Sequence, residues 1–370
     1  MSKTVRIGCH SGFWGDTETA APQLVRHGNV DYLVSDYLAE VTMSIMAAQK
    51  LRNPQAGYAT DFVTAVMAPL AREIVGKKIK VVTNAGGVNP LACRDAVLKA
   101  CEAAGVKLKV AVVLGDDLQP RIEELRKLGI REMDTGAELP ARVASMNAYL
   151  GGFPIARALS EGADVVITGR CVDSAVTLGC LIHAFDWSMD DLDRLAAGTL
   201  CGHIIECGAQ CNGGNFTDWR LVPDYDNMGF PVAEVSADGS FVLGKPDNTG
   251  GLITTATVAE QMLYEIGDPA AYRLPDVCCD FTQVRISELP VGRWTEDYKA
   301  FLADGLARGE YLIQRCKECG KLRHYPRPVC DGCWSMAHDW VAASGCGTGS
   351  GRGWRLGRCA LSEGENGCGH

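Results

Sequence analysis

The sequence predicts an α/β fold with a mostly parallel sheet, flanking helices and a second α+β lobe, followed by a small cysteine-rich unit. In the first two thirds of the chain, short apolar runs rich in Val and Ile alternate with longer segments of helical periodicity, which is typical of βα units. After residue 202 the sequence becomes rich in glycine and polar residues, and two Cys-x2-Cys pairs follow near the C-terminal side. We therefore expect domains at 1–290 and 291–345, and a Gly-rich, disordered tail at 346–370.

Five expected strands each end in a polar or glycine-containing turn that leads towards a helix. The strands cover residues 5–9, 31–35, 79–83, 107–114 and 163–168. The expected helices are near residues 39–48, 90–105, 175–185, 257–266 and 294–310, with one more that opens at 115–117. Because the carboxyl ends of parallel strands share one edge of a sheet, the five turns should meet at a common crevice. The residues expected around it are Gly12, Asp36, Gly86, Asp116 and Arg170.

Composition limits the function classes. A net charge of −9 and a pI near 5.4 argue against nucleic acid as a partner, because phosphate binding needs clustered Lys and Arg. No apolar run reaches the roughly 18 residues of a membrane span, and the N-terminus does not resemble a signal peptide, so we expect a cytoplasmic protein with no membrane contact. In a reducing compartment, 17 cysteines indicate metal ligands and buried apolar residues.

The C-terminal cysteines have the spacing of a zinc ribbon. Cys316 and Cys319 form one Cys-x2-Cys pair, and Cys330 and Cys333 form a second. Two such turns can place four thiolates at the corners of a tetrahedron, the geometry that Zn(II) prefers. With four cysteine ligands no coordination position stays open, so we expect a structural zinc. A rubredoxin-like iron site and four unrelated buried cysteines are the alternatives.

Residues 84–90 place a glycine pair before a helix N-terminus. Asn84, Gly86, Gly87 and Asn89 are therefore candidates for a phosphate or carboxylate cradle, while a plain tight turn explains the same pattern. Asn89 is suited to the N-cap position and Pro90 to the first helical position.

Residues 169–174 deliver charged side chains to the next helix start. Arg170 could hold a carboxylate or phosphate, and Asp173 could act as a base. Capping of the helix by Asp173 or Ser174 explains the same residues without a catalytic role.

Residues 203–214 bring together an imidazole, a carboxylate and two thiols. Cys207 or Cys211 could be a nucleophile with His203 as its base, or His203, Cys207 and Cys211 could bind a second metal; Glu206 adds a carboxylate. A loop that lines a substrate is the third alternative. The first turn adds a histidine, a tryptophan and an aspartate at positions 10, 14 and 16, which are candidates for an aromatic wall and an acid or base.

Residues 5 to about 286 closely resemble the acyclic terpene utilisation family. The resemblance is carried by the blocks at residues 8–16, 31–40, 83–90, 167–173 and 206–210. It implies a role in bacterial catabolism of branched or terpenoid acids carried as CoA thioesters. The family's domain normally continues further, so the second lobe is expected to be incomplete.

Residues from about 294 to 347 resemble the rubredoxin-like zinc ribbon that precedes an OB-fold in proteins accompanying thiolases and acyl-CoA hydratases. The resemblance is carried by residues 314–316, 319–320, 325–327, Cys330, Cys333 and 344–345. The OB-fold expected after residue 345 is absent, which suggests a truncated or frame-shifted gene product.

These observations lead to two hypotheses. In the first, the chain is an enzyme or enzyme subunit of hydratase or lyase type that acts on a small acid or acyl-CoA. Its substrate contacts would be Gly12, Asp36, Asn84, Gly86, Gly87, Asn89 and Arg170, and its catalytic candidates Asp173, His203, Glu206 and Cys207. In the second, it is a non-catalytic scaffold whose ribbon binds a thiolase or acyl-CoA hydratase. A homo-oligomer is compatible with either.

Overall fold

The computed structural model describes residues 3–288, 312–323, 333 and 337–342. The chain divides into two compact units, Met1–Ser287 and Glu288–His370. The helix expected at 294–310, Cys330 and the tail at 346–370 lie outside the described residues. Among the helices of the described part, none is long and apolar enough to cross a membrane.

The large unit is built on a seven-stranded sheet with the order β4-β5-β3-β2-β1-β6-β7. β1 to β5 run parallel, and β6 and β7 extend the sheet antiparallel beside β1. The predicted α/β class with a mostly parallel sheet is therefore confirmed. The strands are β1 (Thr4–Cys9), β2 (Tyr32–Ser35), β3 (Lys80–Thr83), β4 (Val110–Val113), β5 (Val165–Thr168), β6 (Val232–Ser236) and β7 (Phe241–Gly244).

Helices cover both faces of this sheet. They are α1 (Ala20–His27), α2 (Glu40–Arg52), α3 (Ala68–Lys77), α4 (Pro90–Ala103), α5 (Ile122–Lys127), α6 (Phe153–Ser160), α7 (Ala175–Phe185), α8 (Leu192–Ile205) and α9 (Thr255–Leu263). A π-helical turn, Phe62–Met67, precedes α3. The helix expected to open at 115–117 begins later, after a 3-10 turn at Gln119–Arg121 that contains Pro120.

Alternating strand side chains form a core on each face. In β2, Leu33 packs with α1 to α4, whereas Tyr32 and Val34 point to the face covered by α6 to α8. The chain moves along the sheet from β1 to β4 and then returns to β5. Because parallel crossovers are right-handed, this return places α6 on the opposite face.

The glycine-rich region after residue 202 does not form a lobe separate from the sheet, because β6 pairs with the free edge of β1 along five residues and β7 pairs with β6. Pairing satisfies the backbone groups that an open edge would leave exposed. A separate two-stranded sheet, β8 (Tyr272–Arg273) and β9 (Cys278–Cys279), completes the large unit.

The small unit contains a three-stranded antiparallel sheet in the order β11-β10-β12. Its strands are β10 (Leu312–Cys316), β11 (Leu322–Arg323) and β12 (His338–Ala342). Cys316 therefore stands at the end of β10, where the chain enters the turn that contains Cys319.

Candidate functional site

The carboxyl edge of the sheet forms a crevice where β3 and β5 lie side by side. The helix after β3 packs on one face of the sheet and the helix after β5 on the other, so the two turns diverge. Open α/β sheets bind ligands at such a position. The rest of the candidate site lies around this crevice.

Asn84 links the turns after β2 and β3. Its side-chain amide donates to Asp36 Oδ1, and its Oδ1 accepts from the backbone N–H of Tyr37 at 2.7 Å. Both Asn84 and Asp36 are buried. A polar pair buried in this way fixes the direction of the Asp36 carboxyl group, because each hydrogen bond replaces one lost to water.

Arg170 joins the turn after β5 to the same place. Its Nη1 donates to the carbonyl of Leu38 at 2.5 Å and to Asp173 Oδ1 at 3.0 Å, while Nη2 lies 3.3 Å from Glu40 Oε1. The guanidinium also lies 4.4 Å from the ring centre of Tyr149. Arg170 is thus already engaged by the chain's own groups, and a substrate anion would have to compete with Asp173 and Glu40.

The other two turns meet the crevice through backbone contacts. A Cβ on Gly12 would lie 2.7 Å from the carbonyl carbon of Cys207, so only glycine allows the first turn to approach the end of α8. Asp116 Oδ2 accepts from the backbone N–H of Arg170 at 2.8 Å and from Asn147 at 2.9 Å. The structure therefore brings together all five turns that the sequence predicted to meet at a common crevice.

The geometry of residues 84–90 favours the tight turn over the anion cradle. The backbone N–H groups of Gly86, Gly87 and Asn89 donate to the carbonyls of Thr168, Asn84 and Gly86. These donors are therefore not free for an anion. Asn89 stands at the N-cap of α4, but its side chain donates to Pro54 and Ala56 instead of capping the helix.

The expected capping by Asp173 or Ser174 is wrong. Ser174 is the N-cap residue of α7 and makes no side-chain capping bond, and Asp173 turns its carboxylate to Arg170. Ion pairing with a buried guanidinium competes successfully with the helix N–H groups, because charge-assisted bonds are the stronger ones.

His203 and Glu206 form a buried pair at the end of α8. His203 Nδ1 lies 3.0 Å from Glu206 Oε1, and His203 Nε2 lies 3.2 Å from the carbonyl oxygen of Met262. A carbonyl only accepts, so Nε2 carries a proton. Burial raises the pKa of Glu206 and lowers that of His203, which favours a neutral pair in which Glu206 donates to Nδ1.

Four acidic side chains converge beside this pair. Oxygens of Asp173, Glu206 and Glu265 lie within 4.8 Å of one another, and Asp36 is close enough for Asp173 and Glu206 to act on it. Burial, followed by repulsion from these two neighbours, raises the pKa of Asp36. Burial likewise raises the pKa of Asp173, which Arg170 opposes. We call Asp36, Asp173, Glu206 and Glu265 the acidic cluster.

Neither chemical role considered for the cysteines finds support in the described contacts. Burial raises the pKa of the Cys207 thiol, whereas a nucleophile needs the thiolate. The hydrogen bonds of His203 go to Glu206 and Met262, so it is not placed as a base for Cys207. Cys211 is buried and bonds to Gly208 and Asn212, and these contacts leave the substrate-lining alternative for this loop.

Several residues of the site were not anticipated from the sequence. Glu265 follows α9, and Tyr149 and Glu40 reach Arg170 from two further segments. Gln261 donates to the carbonyl of His203 at 2.9 Å. Among these residues, Glu265 has an unusual local conformation, a positive φ of 60°, which is uncommon outside glycine. This conformation could not be predicted from the sequence.

A groove of about 430 Å³ adjoins the crevice between α2 and the segment after β4. Apolar side chains of Ala47, Leu51, Pro54 and Val88 line one side. Lys50 also lines it and donates to the carbonyl of Val88 at 2.6 Å. Because the groove lies beside the 84–90 turn, a ligand that reaches the crevice can also enter the groove.

The small unit places three of the four expected zinc ligands together. The sulfurs of Cys316, Cys319 and Cys333 lie within 4.8 Å of one another, and Cys316 Sγ is 3.5 Å from Cys333 Sγ. Backbone N–H groups of Cys319 and Glu318 point at the Cys316 sulfur and lower its pKa to about 6. Thiolates grouped in this way fit a structural zinc. The fourth predicted ligand, Cys330, lies outside the described residues.

Comparison with protein families agrees with this division. The family described as acyclic terpene utilisation family protein AtuA matches residues 5–293. The chain belongs to this family. A second model, the ChsH2 rubredoxin-like zinc ribbon domain, matches residues 303–339, so the terpene utilisation domain is followed by a ribbon as the sequence predicted. No curated protein and no solved structure matches the chain. Membership of the family supports a role in terpenoid catabolism.

Proposed function

We propose that this member of the acyclic terpene utilisation family is an enzyme of hydratase or lyase type that acts on branched or terpenoid acyl-CoA thioesters. The observation that carries the proposal is the acidic cluster at the carboxyl edge of a parallel sheet. Such an edge is where α/β enzymes hold their reacting groups, and carboxyl groups can both accept and donate protons.

Asp36 is the proton-transfer group in this proposal. Asn84 fixes its carboxyl group, and burial beside other acids raises its pKa, which makes it a better proton acceptor than an exposed carboxylate; in this proposal Asp36 alternates between its ionised and protonated forms during turnover. In a hydration, Asp36 takes a proton from water while the water oxygen bonds to the β-carbon of an enoyl thioester. The electron pair of the double bond moves to the thioester carbonyl, and Asp36 returns the proton to the α-carbon. One water is added and Asp36 is unchanged.

The groove beside α2 is the proposed binding place for the acyl chain. It combines apolar side chains with one cationic side chain, Lys50, and with polar side chains from the segment after β4, among them Asp117 and Asn147. An apolar chain gains free energy when its surface is removed from water. The crevice would then receive the thioester and the groove the branched hydrocarbon.

The test uses the full zinc-loaded chain with a panel of branched enoyl-CoA thioesters and the matching free acids. We expect loss of the enoyl absorbance for at least one thioester, and Asp36→Asn to lower kcat by about 10²-fold or more. Asp190→Asn removes an exposed carboxylate from the loop between α7 and α8 and should leave kcat unchanged. If no thioester or acid is turned over or raises the melting temperature, the proposal fails.

The match to a ribbon domain favours a second candidate, in which the chain is a scaffold whose ribbon binds a thiolase or acyl-CoA hydratase. The two candidates differ in what Asp36→Asn does. If a thiolase or hydratase co-purifies through the ribbon and the complex keeps full activity with Asp36→Asn, the scaffold is supported. If activity resides in the isolated chain and is lost in this variant, the enzyme is supported.

A further inference from the structure

Three carboxylates of the acidic cluster come closer together than their charges favour. Asp173, Glu206 and Glu265 each place one oxygen within 4.8 Å of the other two. They come from the turn after β5, the end of α8 and the residue pair after α9. Ionised carboxylates at this separation repel, so the arrangement is stabilised either by protonation, which burial favours for Glu206, or by a bound positive charge that replaces the protons.

The cationic groups of the described residues compensate only part of this charge. Arg170 pairs with Asp173 but divides its guanidinium between Asp173 and Glu40. Glu206 is bonded by His203 alone, and no Lys or Arg in the described ranges forms an ion pair with Glu206 or Glu265. Two of the three carboxylates are therefore left without a lysine or arginine.

An unpartnered oxygen gives independent evidence for a ligand. The Glu206 side chain is only 4% exposed, and its Oε1 is taken by His203. Its Oε2 is buried and has no hydrogen-bond partner. Buried carboxylate oxygens in folded proteins almost always have a partner, and a bound ion or water is among the few explanations for an exception. Oε2 is the oxygen that remains free to bind a cation.

We propose that Asp173, Glu206 and Glu265 bind a divalent cation of the oxygen-preferring class, Mg²⁺ or Mn²⁺. Carboxylate oxygens suit these ions, whereas zinc favours nitrogen and sulfur ligands such as the cysteines of the ribbon. Glu265 is exposed, so water can complete the octahedral shell that Mg²⁺ requires. The hydrogen bond between His203 Nδ1 and Glu206 Oε1 orients this ligand, as histidine and carboxylate partners commonly do around metal sites.

The cation gives the proposed reaction an electrophile; this part of the inference rests on the proposed function. A divalent ion polarises a thioester carbonyl and stabilises the enolate formed when water adds to the β-carbon. Asp36 would then remain the proton-transfer group, and Asp173, Glu206 and Glu265 would bind the ion. Cation binding itself requires no substrate and can be measured alone.

The experiment titrates the full zinc-loaded chain with Mn²⁺ and follows free Mn²⁺ by electron paramagnetic resonance, without substrate. We expect about one Mn²⁺ bound per chain, displaced by Mg²⁺. Glu265→Gln, at an exposed position, should weaken binding by about 10-fold or more, and so should Glu206→Gln. Asp190→Asn serves as the control and should bind as the wild type does.

Absence of Mn²⁺ binding, or equal affinity of wild type and Glu265→Gln, would overturn the cation site. The two proposals fail separately. If Mn²⁺ binds at these residues and no thioester is turned over, the cation site stands and the proposed function is lost. If thioesters are turned over in buffer freed of Mg²⁺ and Mn²⁺, and Mn²⁺ does not bind, the proposed function stands without the cation.

Discussion

The cysteine turn of the small unit, residues 316–320, and the acidic cluster of the large unit have opposite effects on negatively charged side chains. At Cys316, the backbone N–H groups of Cys319 and Glu318 point at the sulfur, and the pKa falls to about 6. At Asp36 and Glu206, burial outweighs the few donors available, and both pKa values rise. One region is prepared to hold an anion, whereas the other favours the protonated acid or a bound cation.

The difference follows from how each region is built. The cysteine turn is local: Gly320, with φ of 73°, donates to the carbonyl of Cys316 at 2.9 Å and closes the loop by itself. The acidic cluster draws side chains from four separate segments of the large unit. A local turn can orient several N–H groups at one atom, while distant segments that meet in a core bury their polar groups with fewer donors.

The largest effect should come from breaking the cysteine turn. Cys316→Ser or Cys330→Ser removes a thiolate ligand, and metal analysis should show zinc falling from about one per chain to almost none. The sheet of β10, β11 and β12 should lose its structure, while the thermal transition of the large unit should persist. Cys278→Ser, which changes an exposed cysteine of the large unit, is the control and should keep its zinc. Full zinc retention in Cys330→Ser would mean that Cys330 is not a ligand.

A smaller effect should come from changing the packing of the turn after β3 against the end of β5. A Cβ on Gly86 would collide with the backbone carbonyl of Thr168, which cannot move without disturbing β5. Gly86→Ala should lower the free energy of unfolding by about 1–3 kcal/mol. Gly76→Ala is the matched change in α3, where nothing lies within 4 Å of the new Cβ, and should raise it by about 0.5–1 kcal/mol. Urea unfolding measures both, and equal effects would show that the turn is not tightly packed.

The smallest effect concerns pH. The folded state raises the pKa of Asp36 above its unfolded value, so the stability that its protonated form contributes is present at low pH and is lost as pH rises through the raised pKa. Asp36→Asn keeps a neutral group there at every pH. Its melting temperature relative to the wild type should therefore increase as pH rises above about pH 4, the ordinary pKa of an aspartate. Thermal unfolding without added divalent cations tests this, and a constant difference across that range would contradict the raised pKa.

Some features could be predicted from the sequence because they depend on neighbours in the chain. The five βα turns follow from strands with Val and Ile and helices with 3.6-residue periodicity, and the structure places all five at one edge. Asn89 takes the predicted N-cap position of α4, but its side chain bonds to Pro54 and Ala56 instead of capping the helix, and the Asp173 side chain bonds to Arg170 for the same reason. Capping preferences are weak compared with bonds that tertiary contacts supply.

The sequence by itself determined the α/β class, the order of the two family domains and the cysteine spacing, since periodicity and short spacing act over a few residues. Only the tertiary structure decided that β6 extends the sheet beside β1, and that Glu265 joins Asp173 and Glu206. No local sequence pattern predicts the pairing of β6 with β1 or the position of Glu265. The position of Glu265 results from the packing of α8 and α9 against each other, where Gln261 and Met262 bond to His203 and bring Glu265 to the cluster.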